Sequence, residues 1–148
     1  MLDDLDSKIL RLLERNGRIS WSELGQSLQM SATSAAERVK RLEQKGIISG
    51  YTAQINYKAI APYIMAFITV TLDRPAVRFD QAIHQVSQIL ECYHIAGEGS
   101  YLLKTRCADI DELEKLVNYT IKEIPGVLKT VTTVVLSATK GEGYVRKM

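Results

Sequence analysis

Apolar residues in the first third of the chain recur at helical spacing in short segments. In residues 3–16 they stand at i, i+4, i+7 and i+8, which predicts an amphipathic helix on Leu5, Ile9, Leu12 and Leu13. Gly17 follows, and we expect a positive φ there to end the helix. Ser20 and Glu23 have the spacing of a capping box. A second, short helix is therefore predicted to begin at Trp21, whose indole we expect in the core.

The third predicted helix begins at the N-cap candidate Ser31, runs to about Lys45 and stops at Gly46. Three apolar residues fall within about 40° of one another on a helical projection and form its packing side: Ala35, Val39 and Leu42. The opposite side and its flanks carry side chains that reach base edges and phosphates: Thr33, Ser34, Glu37, Arg38, Lys40, Arg41 and Gln44. This pattern predicts a helix-turn-helix that binds double-stranded DNA, although a structural three-helix bundle has the same periodicity.

Beyond Gly46 the hydrophobic period changes to that of β-strands. Residues 51–57 alternate and predict a linker strand, and Pro62 marks a domain boundary near residue 61. The remainder reads β-α-β-β-α-β, with strands at 63–72, 90–96, 101–107 and 127–139, one helix from Pro75 and one capped by Asp109. The predicted fold class is α+β. A winged-helix-like helix-turn-helix domain with its linker strand occupies 1–61, and a ferredoxin-like βαββαβ sandwich occupies 62–148.

One face of the predicted sheet carries both helices, and the other face has no cover within a single chain. A second copy of the chain is the simplest cover, because one self-complementary patch then serves both subunits. The apolar strand 63–72 and the alternating linker 51–57 favour the same solution. We therefore expect at least a homodimer, with larger assemblies if the hairpin loops also meet between dimers.

The net charge of +2 is unevenly distributed. Residues 15–60 carry seven Lys and Arg against three acids, whereas residues 61–148 carry ten of each sign. The basic excess therefore coincides with the predicted helix-turn-helix. Two cysteines form no disulfide framework and favour a reducing cytoplasm. The longest apolar run is too short to span a bilayer, so no membrane partner is expected.

Patterns for catalysis and metal binding are weak. The chain has no P-loop, no G-x-G-x-x-G and no spacing typical of a Ser/His/Asp arrangement, so neither an enzyme activity nor a cofactor is expected. Cys92 and His94 share a strand face, and a pairing of Ala96 with Tyr101 would add Cys107 to it. Three ligands on an assumed register do not support a metal site, and none is predicted.

Four stretches, in this order, resemble the Lrp/AsnC family of leucine-responsive or feast/famine regulators: LDDLDSKILRLLERNGRIS, SELGQSLQMSATSAAERVKRLEQKGIISGYTAQIN, AGEGSYLLKT and IPGVLKTVTTVVL. Together they cover nearly the whole chain. The resemblance implies a transcriptional regulator that is dimeric through both halves and often assembles into octamers, with its helix-turn-helix at residues 21–40. It also implies a small effector, commonly an amino acid, bound between dimers at the loop after the second sheet strand.

The loop motif of the family, a glycine with an aspartate three residues later, corresponds here to Gly97 and Ser100. Serine has no carboxylate to pair with an amino group, although Glu98 offers one nearby. The glycines at 97 and 99 still permit close approach of backbone donors to an anion. The expected effector residues lie in this loop and on the last strand: Gly97, Glu98, Gly99, Ser100, Tyr101, Thr132, Thr133 and Ser137.

Other functions are compatible with the same layout. One is an architectural DNA-binding protein that responds to no ligand, and another is an effector-sensing subunit that binds no DNA. A third is an enzyme similar to tetrapyrrole decarboxylases, against which the basic third helix argues. Salt-dependent DNA binding distinguishes the DNA-binding functions from the sensing subunit and the enzyme. An effect of amino acids on that binding distinguishes a regulator from an architectural protein.

Overall fold

The computed structural model describes residues 2–73 and 77–139, the side chain of residue 77 excepted. The chain divides into two compact units, Met1–Gln54 and Ile55–Met148. This division falls a few residues before the predicted boundary near 61. Pro75, the predicted start of a helix, lies outside the described residues.

The first unit contains three helices, α1 (Asp4–Arg15), α2 (Trp21–Ser27) and α3 (Ala32–Gln44). Each follows an N-cap whose side chain accepts a hydrogen bond from the backbone amide three residues on: Asp3, Ser20 and Ser31. The predicted capping box of Ser20 and Glu23 is confirmed, as is the predicted stop of the third helix at Gly46, which has a positive φ of 66°. The buried side of the helices forms one core of Ile9, Leu24, Ala35, Val39 and Leu42.

Two predictions for this unit are wrong. Trp21 is 46% exposed, because it is the first residue of α2 and the core contact of that helix begins one turn later, at Leu24. The end of α1 uses no left-handed residue at Gly17. Instead Asn16 is extended, its amide bonds to the Leu12 carbonyl, and its side-chain oxygen accepts from the Arg18 amide.

The predicted linker strand is also wrong. Residues 51–56 have no regular secondary structure and are exposed, and Tyr57 begins a short helix, α4 (Tyr57–Ile60). The alternation of apolar residues is present, but a strand needs a neighbour to accept and donate its backbone hydrogen bonds. The described residues of this single chain offer these positions no such neighbour.

The second unit contains β1 (Ile64–Leu72), α5 (Val77–His84), β2 (Ile89–His94), β3 (Tyr101–Cys107), α6 (Ile110–Lys115) and β4 (Val127–Val134). Residues Leu116–Ile121 continue α6 as a π-helical segment. The strands form one antiparallel sheet in the order β2-β3-β1-β4, with β1 and β3 in the centre. This is the predicted ferredoxin-like order, and Asp109 caps α6 as predicted. The last strand ends at 134 rather than 139.

Alternate residues of β1 and β3 face the helices and form the second core. Its members include Ala66, Ile68, Val70, Phe79, Tyr101, Leu103, Cys107 and Ile121. Thr105 is the buried polar residue on this face, and its hydroxyl donates to the Ala66 carbonyl over 3.0 Å. The other sheet face presents partly exposed apolar side chains between the strands' charged residues, among them Phe67, Leu102 and Val131.

Candidate functional site

Helix α3 presents its predicted DNA-contacting residues opposite its buried stripe. Ala35, Val39 and Leu42 are almost fully buried, which fixes the rotation of the helix. Six of the seven predicted side chains are exposed: Thr33, Ser34, Glu37, Lys40, Arg41 and Gln44. Within the described part of the chain, five of these six have no hydrogen bond or ion pair, Ser34 being the exception. The five are therefore free to contact an external partner.

Ser34 contributes to the start of the helix. Its backbone amide donates to the Ser31 hydroxyl over 3.0 Å, and the Ser31 hydroxyl donates to the Ser34 hydroxyl over 2.8 Å. The cap thus orders the first turn of α3 and leaves the Ser34 hydroxyl with its own proton to donate.

Arg38, the seventh predicted residue, is held inside the unit. Its Nη1 atom lies 2.6 Å from an Asp3 carboxylate oxygen and 2.7 Å from an Asp6 carboxylate oxygen, and its side chain is only 22% exposed. The guanidinium therefore joins the start of α1 to the middle of α3. The two carboxylates already pair with the Arg38 charge, so Arg38 has a structural role that the other six residues do not share.

The ion pair makes the stability of the first unit sensitive to pH. The Asp6 backbone amide and then the Arg38 guanidinium favour the ionised form and hold the pKa of Asp3 below its ordinary value. Because the folded-state pKa is the lower one, this stabilisation is complete above about pH 4 and is lost as the pH falls through the folded-state pKa.

Replacement of Arg38 by Gln is therefore expected to lower the melting temperature of the first unit at neutral pH. Ion pairs that remain partly open to solvent contribute little, so the expected fall is only about 2–5 °C. Thermal unfolding by circular dichroism at pH 7 and near pH 3, in low and high salt, measures it. The difference from wild type should shrink in acid and in salt. Arg11→Gln, at an exposed position of α1, is the control, and an equal fall in both variants would contradict this role.

The turn between α2 and α3 fixes the position of the candidate DNA-binding helix. The Met30 amide donates to the Gly25 carbonyl over 2.9 Å, and Gln29 has a left-handed backbone with φ 56°. Gly25 is buried, and a Cβ at this residue would lie 2.7 Å from the Met30 carbonyl oxygen. The close crossing of the two helices therefore requires glycine at 25, a constraint that the hydrophobic pattern alone does not show.

The hairpin loop 97–100, predicted to bind the effector, is attached to the end of β1. The Ser100 amide donates to the Val70 carbonyl over 2.8 Å, and the Ser100 hydroxyl accepts from the Leu72 amide over 3.1 Å. Gly97 and Gly99 have φ of 142° and 98°, and a Cβ on Gly99 would lie 2.5 Å from the Thr69 methyl group. Glu98 is exposed. Ser100 thus has a structural role in holding the loop.

The structure does not bring the predicted residues of the last strand to this loop within one chain. The loop lies at the Val70–Leu72 end of β1, whereas Thr132 and Thr133 pair with the middle of that strand. Ser137 lies beyond its opposite end, close to Met65. The β-α-β-β-α-β order alone does not show this separation, because the distance between the loop and these residues depends on the register of β4 against β1.

Tyr101 belongs to a different environment from the rest of the loop. Its ring is buried, and its centroid lies 4.7 Å from that of the Phe79 ring and 5.0 Å from that of the His94 ring. Burial and then the hydrogen bond to the Asp80 carboxylate raise the pKa of Tyr101. The ring forms part of a cavity of about 510 Å³ between α5 and β2. Cys92 and His94, which the sequence places on one strand face, both line this cavity.

The two cysteines offer little metal or nucleophile chemistry. His94, not Ala96, pairs with Tyr101, and Cys107 is buried in the core while Cys92 is exposed. Burial raises the pKa of the Cys107 thiol to about 11, and partial desolvation raises the pKa of the more exposed Cys92 thiol, so both are protonated near neutral pH. In residues 2–73 and 77–139 no group of three or more His, Cys, Asp or Glu is placed to hold a metal ion.

Two family signatures match the two halves of the chain. The AsnC-type helix-turn-helix domain matches residues 2–43, which contain α1 to α3. The Lrp/AsnC ligand binding domain matches residues 65–145, which contain the sheet. The chain belongs to the Lrp/AsnC family. Like the other members that it matches, it is a helix-turn-helix transcriptional regulator with a ligand-binding domain, and not an enzyme of the tetrapyrrole decarboxylase type.

Similar proteins cover this Lrp/AsnC chain almost completely. It is 40% identical to the Leucine-responsive regulatory protein of Haemophilus influenzae over 97% of this chain and 89% of that protein. A transcriptional regulator from Neisseria meningitidis, solved in complex with L-Met, superposes with a TM-score of 0.90 at 28% identity, over 96% of this chain and 94% of that one. A feast or famine regulatory protein from M. tuberculosis, complexed with L-methionine, gives 0.87 at 31% identity over 100% and 99%.

These similarities confirm the predicted fold class and the predicted DNA-binding function. Oligomerisation is typical of the family. None of the helices in the described segments has the length and apolar character needed to cross a membrane.

Proposed function

We propose that this regulator binds double-stranded DNA through the exposed side of α3, and that an amino acid bound in the second unit alters its assembly and thereby its DNA affinity. The observation that carries the proposal is the two-sided character of α3. One side is buried to fix the helix, and the other presents Lys40 and Arg41 without partners in the described chain. Its site of action would be cytoplasmic DNA, in keeping with its family.

The DNA-contacting residues divide by chemistry. Lys40 and Arg41 are cations suited to phosphates or guanine edges, while Thr33, Glu37 and Gln44 offer hydrogen bonds to bases. Ser34 sits at the capped start of the helix, which in helix-turn-helix proteins contacts base edges. Arg38 is left out of this set because its guanidinium is bound to Asp3 and Asp6.

The direct test is DNA binding by the purified chain. Fluorescence anisotropy is measured with duplexes from the region upstream of the protein's own gene and with a scrambled duplex of equal length. The upstream duplexes should bind more tightly, with an affinity that falls steeply as salt is added. Equal affinity for the two duplexes would contradict sequence-specific recognition. Undetectable binding at low salt would favour a sensing subunit that binds no DNA.

Assembly is supported by the sheet face that carries no helices. Arg106 lies on this face of β3 with its guanidinium carbon 3.5 Å from the centre of the Tyr57 ring. Its Nη1 atom is buried, and the described residues offer it no hydrogen-bond acceptor. Exposed apolar side chains lie on the same unit, including Val131 and Leu136, the latter 97% exposed. A second copy covering this face would bury the apolar groups and supply the missing acceptor.

Replacement of Arg106 by Ala is therefore expected to weaken the dimer by about tenfold or more, since a buried charge-assisted hydrogen bond and its ring contact are lost. Sedimentation velocity across a concentration series measures the change. Lys115→Ala, a charge loss on helix α6 and away from this sheet face, should leave assembly as in wild type. A wild-type chain that is monomeric at micromolar concentration would contradict the proposed dimer.

The effector part of the proposal is supported by the two structural relatives solved with L-methionine. An amino acid alters assembly only by the difference between its affinities for the assembly states. Linked helix-turn-helix units bind DNA multivalently, so a shift in assembly changes DNA affinity. Calorimetry against an amino-acid panel, with sedimentation alongside, tests this link. An architectural protein would give DNA binding with no heat and no change in assembly.

A further inference from the structure

Glu37 occupies the centre of the exposed side of α3. At about 100° per residue, its direction lies within roughly 15° of the point opposite the mean direction of the buried stripe Ala35, Val39 and Leu42. It is also the sixth of the 13 residues of the helix, so it stands near the middle of its length. A helix that enters a DNA groove with this side forward therefore points Glu37 at the floor of the groove, where the base edges lie, and its flanks at the walls.

The carboxylate of Glu37 has no partner within the described residues. Its side chain is exposed, and although Lys40 and Arg41 follow it by three and four residues, neither forms an ion pair with it. The other acid of α3, Glu43, accepts a hydrogen bond from the Tyr51 hydroxyl over 2.8 Å. Glu37 is thus the acid that this helix leaves free, on a side that is otherwise basic.

A free carboxylate on this side limits which parts of DNA can lie against it. Phosphates repel it, because like charges a few ångströms apart disfavour one another. In the major groove guanine presents N7 and O6 and thymine presents O4, all of them acceptors that cannot pair with a carboxylate. The donors are the amino groups on N4 of cytosine and N6 of adenine, and adenine places its N7 acceptor beside its amino group. Cytosine is therefore the base whose edge suits a carboxylate best.

We propose that Glu37 recognises cytosine: its carboxylate accepts a hydrogen bond from the N4 amino group of a cytosine that faces the middle of α3 in the major groove. This rests on the proposed function and names a base that the regulator selects. Lys40 and Arg41 attract DNA of any sequence, whereas Glu37 weakens binding wherever no amino group meets it. The acid thus provides specificity by penalising the wrong sequences, at the expense of general affinity.

Selection from a pool of duplexes with a randomised segment tests this role without a known operator. The purified chain and its Glu37→Gln variant each enrich bound duplexes over several rounds, and the recovered sequences are compared. Wild type should enrich a motif in which cytosine predominates at one position. The variant should enrich the same motif with the cytosine preference lost at that position alone. Adenine should become more frequent there, because a glutamine amide pairs with N6 and N7 of adenine.

Affinities for matched duplexes then separate base recognition from simple repulsion. The selected duplex, one with T·A in place of the C·G pair, and a scrambled duplex are titrated by fluorescence anisotropy. Wild type should favour the C·G duplex over the T·A duplex by about fivefold or more, and Glu37→Gln by less than about twofold. The variant should also bind the scrambled duplex more tightly than wild type does. Tighter binding of all three duplexes by one factor, with the cytosine preference intact, would show repulsion alone and overturn the proposal.

Glu14→Gln is the matched control. It removes the same charge from an exposed position of α1, outside α3, and should leave the cytosine preference at the wild-type level. Neither Glu14 nor Glu37 has a partner in the described residues, so both variants should keep the wild-type melting temperature. An equal loss of the cytosine preference in the two variants would contradict a specific role for Glu37.

Failure of this inference and failure of the proposed function give different results. If wild type enriches a motif without a cytosine position, or if Glu37→Gln enriches the wild-type motif unaltered, the role of Glu37 is overturned and sequence-specific binding stands. If wild type enriches no motif at all, sequence-specific binding by α3 is itself contradicted.

Discussion

Simultaneous replacement of Lys40 and Arg41 by Ala is expected to weaken specific DNA binding by about 2 kcal/mol or more, roughly thirtyfold. Both side chains are exposed on the side of α3 opposite its buried stripe, and neither has a partner in the described residues. The substitution therefore removes contacts to DNA without leaving an unpaired group in the fold. Fluorescence anisotropy on specific and scrambled duplexes over a salt series measures the loss.

The salt series also distinguishes the roles of the two cations. A side chain that meets only phosphate lowers affinity for both duplexes, and the slope of log affinity against log salt falls by about one unit for each such contact. A side chain that reads a guanine lowers affinity chiefly for the specific duplex. Lys8→Ala/Arg11→Ala on α1 removes the same charge from exposed positions elsewhere in the unit. Unchanged affinity of the Lys40/Arg41 variant at physiological salt would exclude this side of α3 from the interface.

Local sequence signals predicted the features that local physics determines. The N-caps at Ser20 and Ser31, the helix stop at Gly46 and the cap at Asp109 each depend on a few neighbouring residues, and all four are confirmed. The apolar stripe of α3 was also predictable, because the spacing of Ala35, Val39 and Leu42 fixes which side is buried. The order of strands and helices then limited the second unit to few topologies.

What the sequence did not predict depends on partners distant in the chain. The charge on Arg38 indicated DNA, but Asp3 and Asp6 are separated from it by more than thirty residues and meet it only after α1 packs on α3. The alternation of 51–57 indicated a strand, yet pairing needs a neighbour that the described chain lacks. The pairing of His94 with Tyr101 likewise depends on the register between β2 and β3, which shifts at a bulge between Ile89 and Glu91. That register decides which side chains line the cavity.

Gly25→Ala is expected to destabilise the first unit by about 1–3 kcal/mol, the usual cost of an atom added to a filled core. The new Cβ would lie 2.7 Å from the Met30 carbonyl oxygen and 3.0 Å from the Ala32 nitrogen. These are backbone atoms of the turn and of the start of α3, so no side-chain rotation relieves the contact. Helix α3 must move away from α2, which displaces the candidate DNA-binding side as well.

A glycine in the same unit provides the matched control. At Gly17 a Cβ would meet its nearest atom, Cδ1 of Tyr51, at 3.5 Å, an ordinary contact, and Gly17 is not among the described residues with positive φ. Gly17→Ala should therefore leave stability unchanged or raise it slightly, by restricting the unfolded chain. Thermal unfolding followed by circular dichroism, together with DNA titration, compares the two variants. Gly25→Ala should unfold at lower temperature and bind DNA more weakly even where it is fully folded, because the position of α3 has changed. Equal melting temperatures and equal DNA affinities for the two variants would show that the α2–α3 crossing tolerates a side chain.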